Sequence, residues 1–120
     1  MRVFVYGTLR QGHYNHSVME RAMGEFISED SIADGMFTMW DLGAYPALEL
    51  SSLAHTSVIH GEVYEVPEEG IPVLDRLEGY PNLYNRMEVE LLSGETALVY
   101  FMTSVNLKYA TRIPEGNWSN

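Results

Sequence analysis

Val3-Phe4-Val5-Tyr6-Gly7-Thr8-Leu9-Arg10 is the stretch on which the reading of this chain turns. The β-branched and aromatic residues at 3–6 predict a buried strand, which Gly7 ends. A strand that stops in Gly-Thr leaves consecutive backbone amides without ladder partners. Glycine lets a ligand approach the backbone closely, and successive N–H groups in such a turn form a concavity for a carboxylate or a developing oxyanion. The plain alternative is a glycine that only turns the chain, and these residues taken alone favour it.

Working outward, residues 8–14 read as a loop containing Gly12. Ser17-Val18-Met19-Glu20 has capping-box spacing, which predicts a short helix with Val18, Met19, Ala22 and Met23 on one face and Gly24 as its stop. From Glu25 to Leu42 the pattern is strand-like, with Asp34-Gly35 placed as a hairpin turn. Ala44-Tyr45-Pro46 reads as a turn or edge. Ser57 to Val66 alternates as a strand in which Gly61 marks a bulge or a close backbone approach. Pro72 suits the first turn of a second helix, with Leu74 and Leu77 facing the core and Gly79-Tyr80-Pro81 ending it. Arg86–Leu92 and Thr96–Thr103 predict a hairpin through Ser93-Gly94-Glu95, and the segment from Ser104 reads as an irregular tail. Several strands and two short helices predict an α+β fold, a small mixed β-barrel with short peripheral helices.

The chain has 120 residues, of which 46% are hydrophobic, so one domain spanning 1–120 with an ordinary core is expected. The net charge of −10, from 17 acidic and 7 basic residues, repels polyanions and argues against nucleic acid or an anionic membrane as partners. The absence of cysteine excludes disulfides, thiol catalysis and thiolate metal sites. The apolar run at 3–6 is too short for a signal-peptide core, and no stretch has membrane-spanning length, which predicts a cytoplasmic protein.

A second cluster, Leu74-Asp75-Arg76-Leu77-Glu78-Gly79-Tyr80-Pro81, leads to Tyr84 and Arg86. Asp75 and Glu78 lie near one helical face, beside the stripe of Leu74 and Leu77. A carboxylate at that helix end, beside a buried stripe, meets desolvation and the negative end of the helix dipole. Both raise its pKa toward what a general acid/base needs. The alternative is a solvated face paired with Arg76 or Arg86, and residue statistics favour it. Of His13, His16, His55 and His60, the first two are three apart but fall in a loop and at a helix start, with no acidic residue near them at ligand spacing, so no metal site is expected. Trp40, Trp118 and the eight tyrosines read as core or rim residues.

Taken together, these clusters resemble the γ-glutamylcyclotransferase-like superfamily, in particular its small AIG2-like and γ-glutamylamine cyclotransferase-like members. The resemblance runs through Val3–Arg10, Gly12, Asn15-His16, Gly43, Tyr45-Pro46-Ala47, Gly61-Glu62-Val63-Tyr64, Leu74-Asp75, Leu77-Glu78-Gly79, Pro81, Tyr84, Arg86 and Val99-Tyr100. Gly116-Asn117-Trp118 stands where related chains carry Gly-Asp-Trp, which leaves the role of that tail open. The resemblance implies a small β-barrel with packed helices, Glu78 as the catalytic residue, and Tyr6, Gly7, Thr8 and Leu9 lining the substrate cavity. Tyr84 is a further candidate for substrate binding, and Tyr100 is balanced between pocket and core. Arg86 is read as pairing with Asp75 rather than holding a substrate carboxylate.

The implied reaction closes a γ-glutamyl amine or amino acid into 5-oxoproline and releases the amine. It requires no metal or organic cofactor, and its partner is the small γ-glutamyl substrate. Two other readings stay open: a small-molecule binding module without turnover, and another amide- or acyl-handling enzyme on the same scaffold.

Overall fold

The computed structural model describes residues 1–33, 35–50 and 58–119. Among them the chain forms β1 (Arg2–Val5), α1 (His16–Arg21), β2 (Glu25–Ile32), β3 (Phe37–Asp41), β4 (Pro46–Leu50), β5 (Ile59–Glu65), α2 (Ile71–Glu78), β6 (Asn85–Glu90), β7 (Thr96–Phe101) and β8 (Thr111–Arg112). Short 3₁₀ turns at Glu68–Gly70 and Leu107–Tyr109 precede α2 and β8.

Two sheets organise these elements. The larger has the order β2-β5-β1-β7-β6, and the smaller β4-β3-β8. β1 lies at the centre of the larger sheet, antiparallel to β5 through Val3↔Tyr64 and Phe4↔Val63, and parallel to β7 through Val3↔Leu98. Its residues carry the apolar run because both faces are covered: Val3 and Val5 enter one cluster with Met19, Leu74 and Tyr84, while Phe4 and Tyr6 enter the other with Phe37, Leu48 and Val99. Helices α1 and α2 pack against the first cluster.

The α+β expectation holds, with short helices at the periphery of mixed sheets. The sheets are stitched rather than closed into a continuous ladder: a parallel bridge joins Glu49 to Met102 beyond the end of β7. The Tyr6 hydroxyl adds a second link, accepting from the Leu48 amide in β4 and donating to the Tyr100 carbonyl in β7.

Local departures have identifiable causes. The segment around Asp34-Gly35 is not a hairpin turn between ladder partners, because β2 pairs with β5 and β3 with β4 in the other sheet. Ile32 before it and Phe37 after it are both buried in the second cluster. Asp34 itself and Ser57, the expected start of the β5 segment, lie outside the described residues. Pro46 opens β4, an edge strand, where its missing N–H removes no ladder bond. Helix α1 starts one residue before Ser17, and its N-cap residue Asn15 makes no side-chain cap. Met23, not Gly24, adopts the left-handed conformation (φ 62°) and is exposed instead of facing the core. The tail is also packed: β8 adds to β3, the His60 amide donates to the Gly116 carbonyl, and Trp118 is buried with its indole N–H directed to Asp41. Gly61 is a close approach, since a Cβ there would lie 2.4 Å from the Val5 carbonyl oxygen.

Candidate functional site

A cavity of about 290 Å³ opens where the end of β1, the loop after it, the start of β4 and the end of α2 converge. Tyr6, Gly7, Thr8, Leu9, Glu78 and Tyr84, the residues singled out from sequence, all line it, and so does Tyr100.

Glu78 is placed there by the way α2 ends. Leu74, fully buried one turn earlier, fixes the helix against the core. Gly79 then takes a left-handed φ of 65°, which lets its amide donate to Arg76 and the Tyr80 amide donate to Asp75. This is a Schellman closure of the last turn. The Leu83 and Tyr84 amides cap the next carbonyls, those of Gly79 and Glu78. Leu77, expected to face the core, is partly exposed and lines the cavity beside Glu78. Among the described residues no cation forms an ion pair with Glu78. Water reaches part of the residue through the cavity mouth. Protein crowds the carboxyl on its remaining sides, and this burial pushes its pKa up to about 7. Its position at the negative end of α2 acts in the same direction.

Three tyrosines surround this carboxyl. The Tyr6 hydroxyl donates to the Tyr100 carbonyl at 2.7 Å, the Tyr84 hydroxyl to the Pro46 carbonyl at 2.8 Å, and the Tyr100 hydroxyl to Asp75 Oδ1 at 2.7 Å. Burial raises the pKa of each phenol, and the negative charge of Glu78 adds to it in all three, so they remain protonated.

Opposite them, the loop after β1 has its carbonyls occupied. Gly7 O accepts from the amide and Nε of Arg10, Thr8 O from the Asn15 amide, and Leu9 O from His16 Nδ1. The Asn15 side chain braces the loop further by donating to Thr8 Oγ1 at 3.0 Å. The amides of Gly7, Thr8 and Leu9 have no protein acceptor among the described residues. A run of free amides beside an unpaired carboxyl is the concavity suggested by the strand-ending glycine.

Asp75 and Arg86 do not line the cavity. They form an ion pair, and the Arg86 guanidinium lies 4.1 Å from the centre of the Tyr80 ring. Arg86 thus ties β6 to α2, as read from sequence. Arg86→Lys keeps the charge but loses the planar stack and the fixed fork of donors. It is expected to lower stability by about 1 kcal/mol with KM unchanged, as measured by urea unfolding and initial rates.

Sequence reasoning gave no site role to Tyr14, Asn15, Tyr45, Pro46, Leu77 and Leu83, which with Phe4 and Val5 complete the described wall. Most sit in loops, where no periodicity marks a face, although Asn15, Tyr45-Pro46 and Leu77 belong to the resemblance. The described cavity wall contains no Lys, Arg or His. His13 packs on Trp118, His60 lies near Ser31, and His55 falls outside the described residues. Among the described residues no group of three or more His, Asp or Glu could hold a metal ion.

The family model described as "Gamma-glutamyl cyclotransferase, AIG2-like" matches residues 3–120. A γ-L-glutamyl-butirosin B γ-glutamyl cyclotransferase from Niallia circulans is 38% identical, over 80% of this chain and 62% of its own length. A γ-glutamylaminecyclotransferase from Rattus norvegicus is 33% identical, over 79% of this chain and 67% of its own. The crystal structure of a mouse AIG2-like protein superposes with a TM-score of 0.82 at 22% identity, covering 98% of this chain and 87% of that one, which shows a shared fold. With a family model spanning almost its full length and relatives of this similarity, the chain belongs to the γ-glutamyl cyclotransferase, AIG2-like family.

Proposed function

We propose that this protein is a cyclotransferase that releases 5-oxoproline and a free amine from a γ-glutamyl amine or γ-glutamyl amino acid, with Glu78 as general acid/base. The observation that carries this reading is the meeting of an unpaired, desolvated carboxyl and a run of acceptor-free amides in one cavity.

The chemistry follows from that pairing. The substrate's α-nitrogen, once neutral, attacks its own γ-carbonyl carbon and closes a five-membered ring. The Glu78 carboxylate takes the proton shed by the attacking nitrogen and delivers it to the departing nitrogen as the amide C–N bond breaks. Holding nucleophile and electrophile in one folded molecule supplies much of the acceleration. The amides of Gly7, Thr8 and Leu9 are the donors for the tetrahedral oxyanion or the substrate's α-carboxylate. With no cation in the described wall and the phenol hydrogens already donated to Tyr100 O, Pro46 O and Asp75, these amides are the groups suited to anionic parts of the substrate. Because Tyr6 and Tyr84 stay protonated, they contribute as hydrogen-bonding wall rather than as bases.

The test is incubation with a panel of γ-glutamyl amines, γ-glutamyl amino acids and glutathione, with 5-oxoproline detected by mass. At least one member should be converted. Binding across the panel without any product would instead identify a binding module. The pH profile gives a second check. Glu78 must be ionised to accept a proton and its pKa is near 7, so below that value the fall of kcat/KM on acidification should steepen by about tenfold per pH unit, over the separate limb set by deprotonation of the substrate's α-amine.

A further inference from the structure

The mouth of the cavity differs in chemistry from its interior. Four cavity-lining side chains are among the large hydrophobics left in solvent: Tyr14 (66% exposed), Leu83 (54%), Tyr45 (37%) and Leu77 (37%). They come from three separate segments, the loop after β1, the turn before β4 and the end of α2 with the turn beyond it. The first two segments are joined where the Tyr14 hydroxyl donates to the Ala44 carbonyl at 3.0 Å. Glu78 is the one Asp, Glu, Lys, Arg or His in the described wall. Contiguous exposed apolar surface around a cavity is costly to leave in water and marks a ligand contact.

We infer that this rim selects the departing part of the substrate: an uncharged, apolar alkyl or aryl amine joined to the γ-carbonyl. The inference rests on the cyclotransferase reading above and narrows it. The γ-glutamyl head, with its carboxylate and amine, needs the polar interior of amides, phenols and Glu78. Whatever is bonded to the amide nitrogen then extends along Leu77, Leu83, Tyr14 and Tyr45. A second carboxylate there, as in a γ-glutamyl amino acid, meets no cation in the described wall and faces a protein of net charge −10. A second ammonium also loses hydration at the apolar rim, but less is lost than with the carboxylate, because the net charge of −10 and the Tyr14 and Tyr45 ring faces attract it.

The experiment is a series of γ-L-glutamyl n-alkylamides from methyl to pentyl, with the pentyl chain also ended in an amino group or a carboxylate. Two readouts are taken: kcat/KM for 5-oxoproline formation by the native protein, and Kd for the Glu78→Gln variant by calorimetry. Each added CH₂ should improve both by about threefold to fourfold, and the terminal carboxylate should cost roughly tenfold or more against the pentylamide, with the terminal ammonium costing less. Leu83→Ser and Leu77→Ser should each flatten the chain-length gradient. A flat series with 5-oxoproline still formed overturns the rim's selectivity and leaves the reaction standing. A gradient in Kd with no 5-oxoproline from any member overturns the reaction and leaves the apolar preference. No gradient and no product overturns both.

Discussion

Glu78→Gln lowers kcat by about 10²–10⁴-fold while the fold is kept. Glutamine has nearly the same volume and can sit at the end of α2 under the same Schellman closure, but it neither accepts nor returns a proton. Circular dichroism and gel filtration should match the native protein while 5-oxoproline release collapses; retention of native turnover would remove Glu78 from the mechanism. The same substitution reports on the cost of keeping this carboxyl in the cavity. The folded pKa is about 7 against an ordinary 4.5. Between those values the folded protein binds a proton that the unfolded chain has already lost, so stability falls as pH rises through that window and is level above it. The penalty at pH 8 is on the order of 3 kcal/mol relative to pH 4. Glu78→Gln lacks it, so the variant should gain on the native protein in urea unfolding as pH is raised from 4 to 8. An equal stability difference at both ends would mean that the carboxyl is well solvated.

Gly70→Ala is expected to destabilise the protein by about 3 kcal/mol, the upper end of what overpacking usually costs. Gly70 has ordinary right-handed backbone angles (φ −85°, ψ −21°), so alanine meets no conformational objection. Space is the obstacle. A Cβ would lie 2.0 Å from the Ala22 carbonyl oxygen, at the end of α1, and 2.9 Å from Val66 Cγ1. Ala22 and Val66 are fully buried, and the nearest atom belongs to backbone, so no side-chain rotation relieves the contact. The contact sits at the N-cap of α2, whose other end carries Glu78. Relief by moving α2 therefore shifts the carboxyl, and kcat should fall along with the urea midpoint. A variant with native stability would show that α1 and α2 have slack between them.

The sequence was most legible where a local rule and the tertiary packing agree. Val3–Tyr6 reads as a buried strand because both of its faces are covered. The β6–β7 hairpin reads correctly because Gly94 lies in a loop between two apolar alternations. The polar end of the site was legible only through the family resemblance, since Gly7 and Glu78 taken alone favour a plain turn and a solvated helix face. What escaped was set by partners far along the chain. Asp34-Gly35 looks like a hairpin turn, yet the pairing of β2 is decided by β5. The residues after Ser104 carry turn signals, but β3 and Trp118 give them a place in the core. The apolar rim belongs to the same class, because Tyr14, Tyr45 and Leu83 become neighbours of one cavity only after the loops are folded.

The central position of β1 also bears on how the protein is made. Its ladder partners, β5 and β7, begin at Ile59 and Thr96. A ribosome adding roughly 5–20 residues per second leaves this segment waiting for several seconds before a neighbour emerges. During that time one of the most apolar strands of the molecule is unpaired and open to the wrong company. Abundant holdase chaperones should therefore raise the soluble yield.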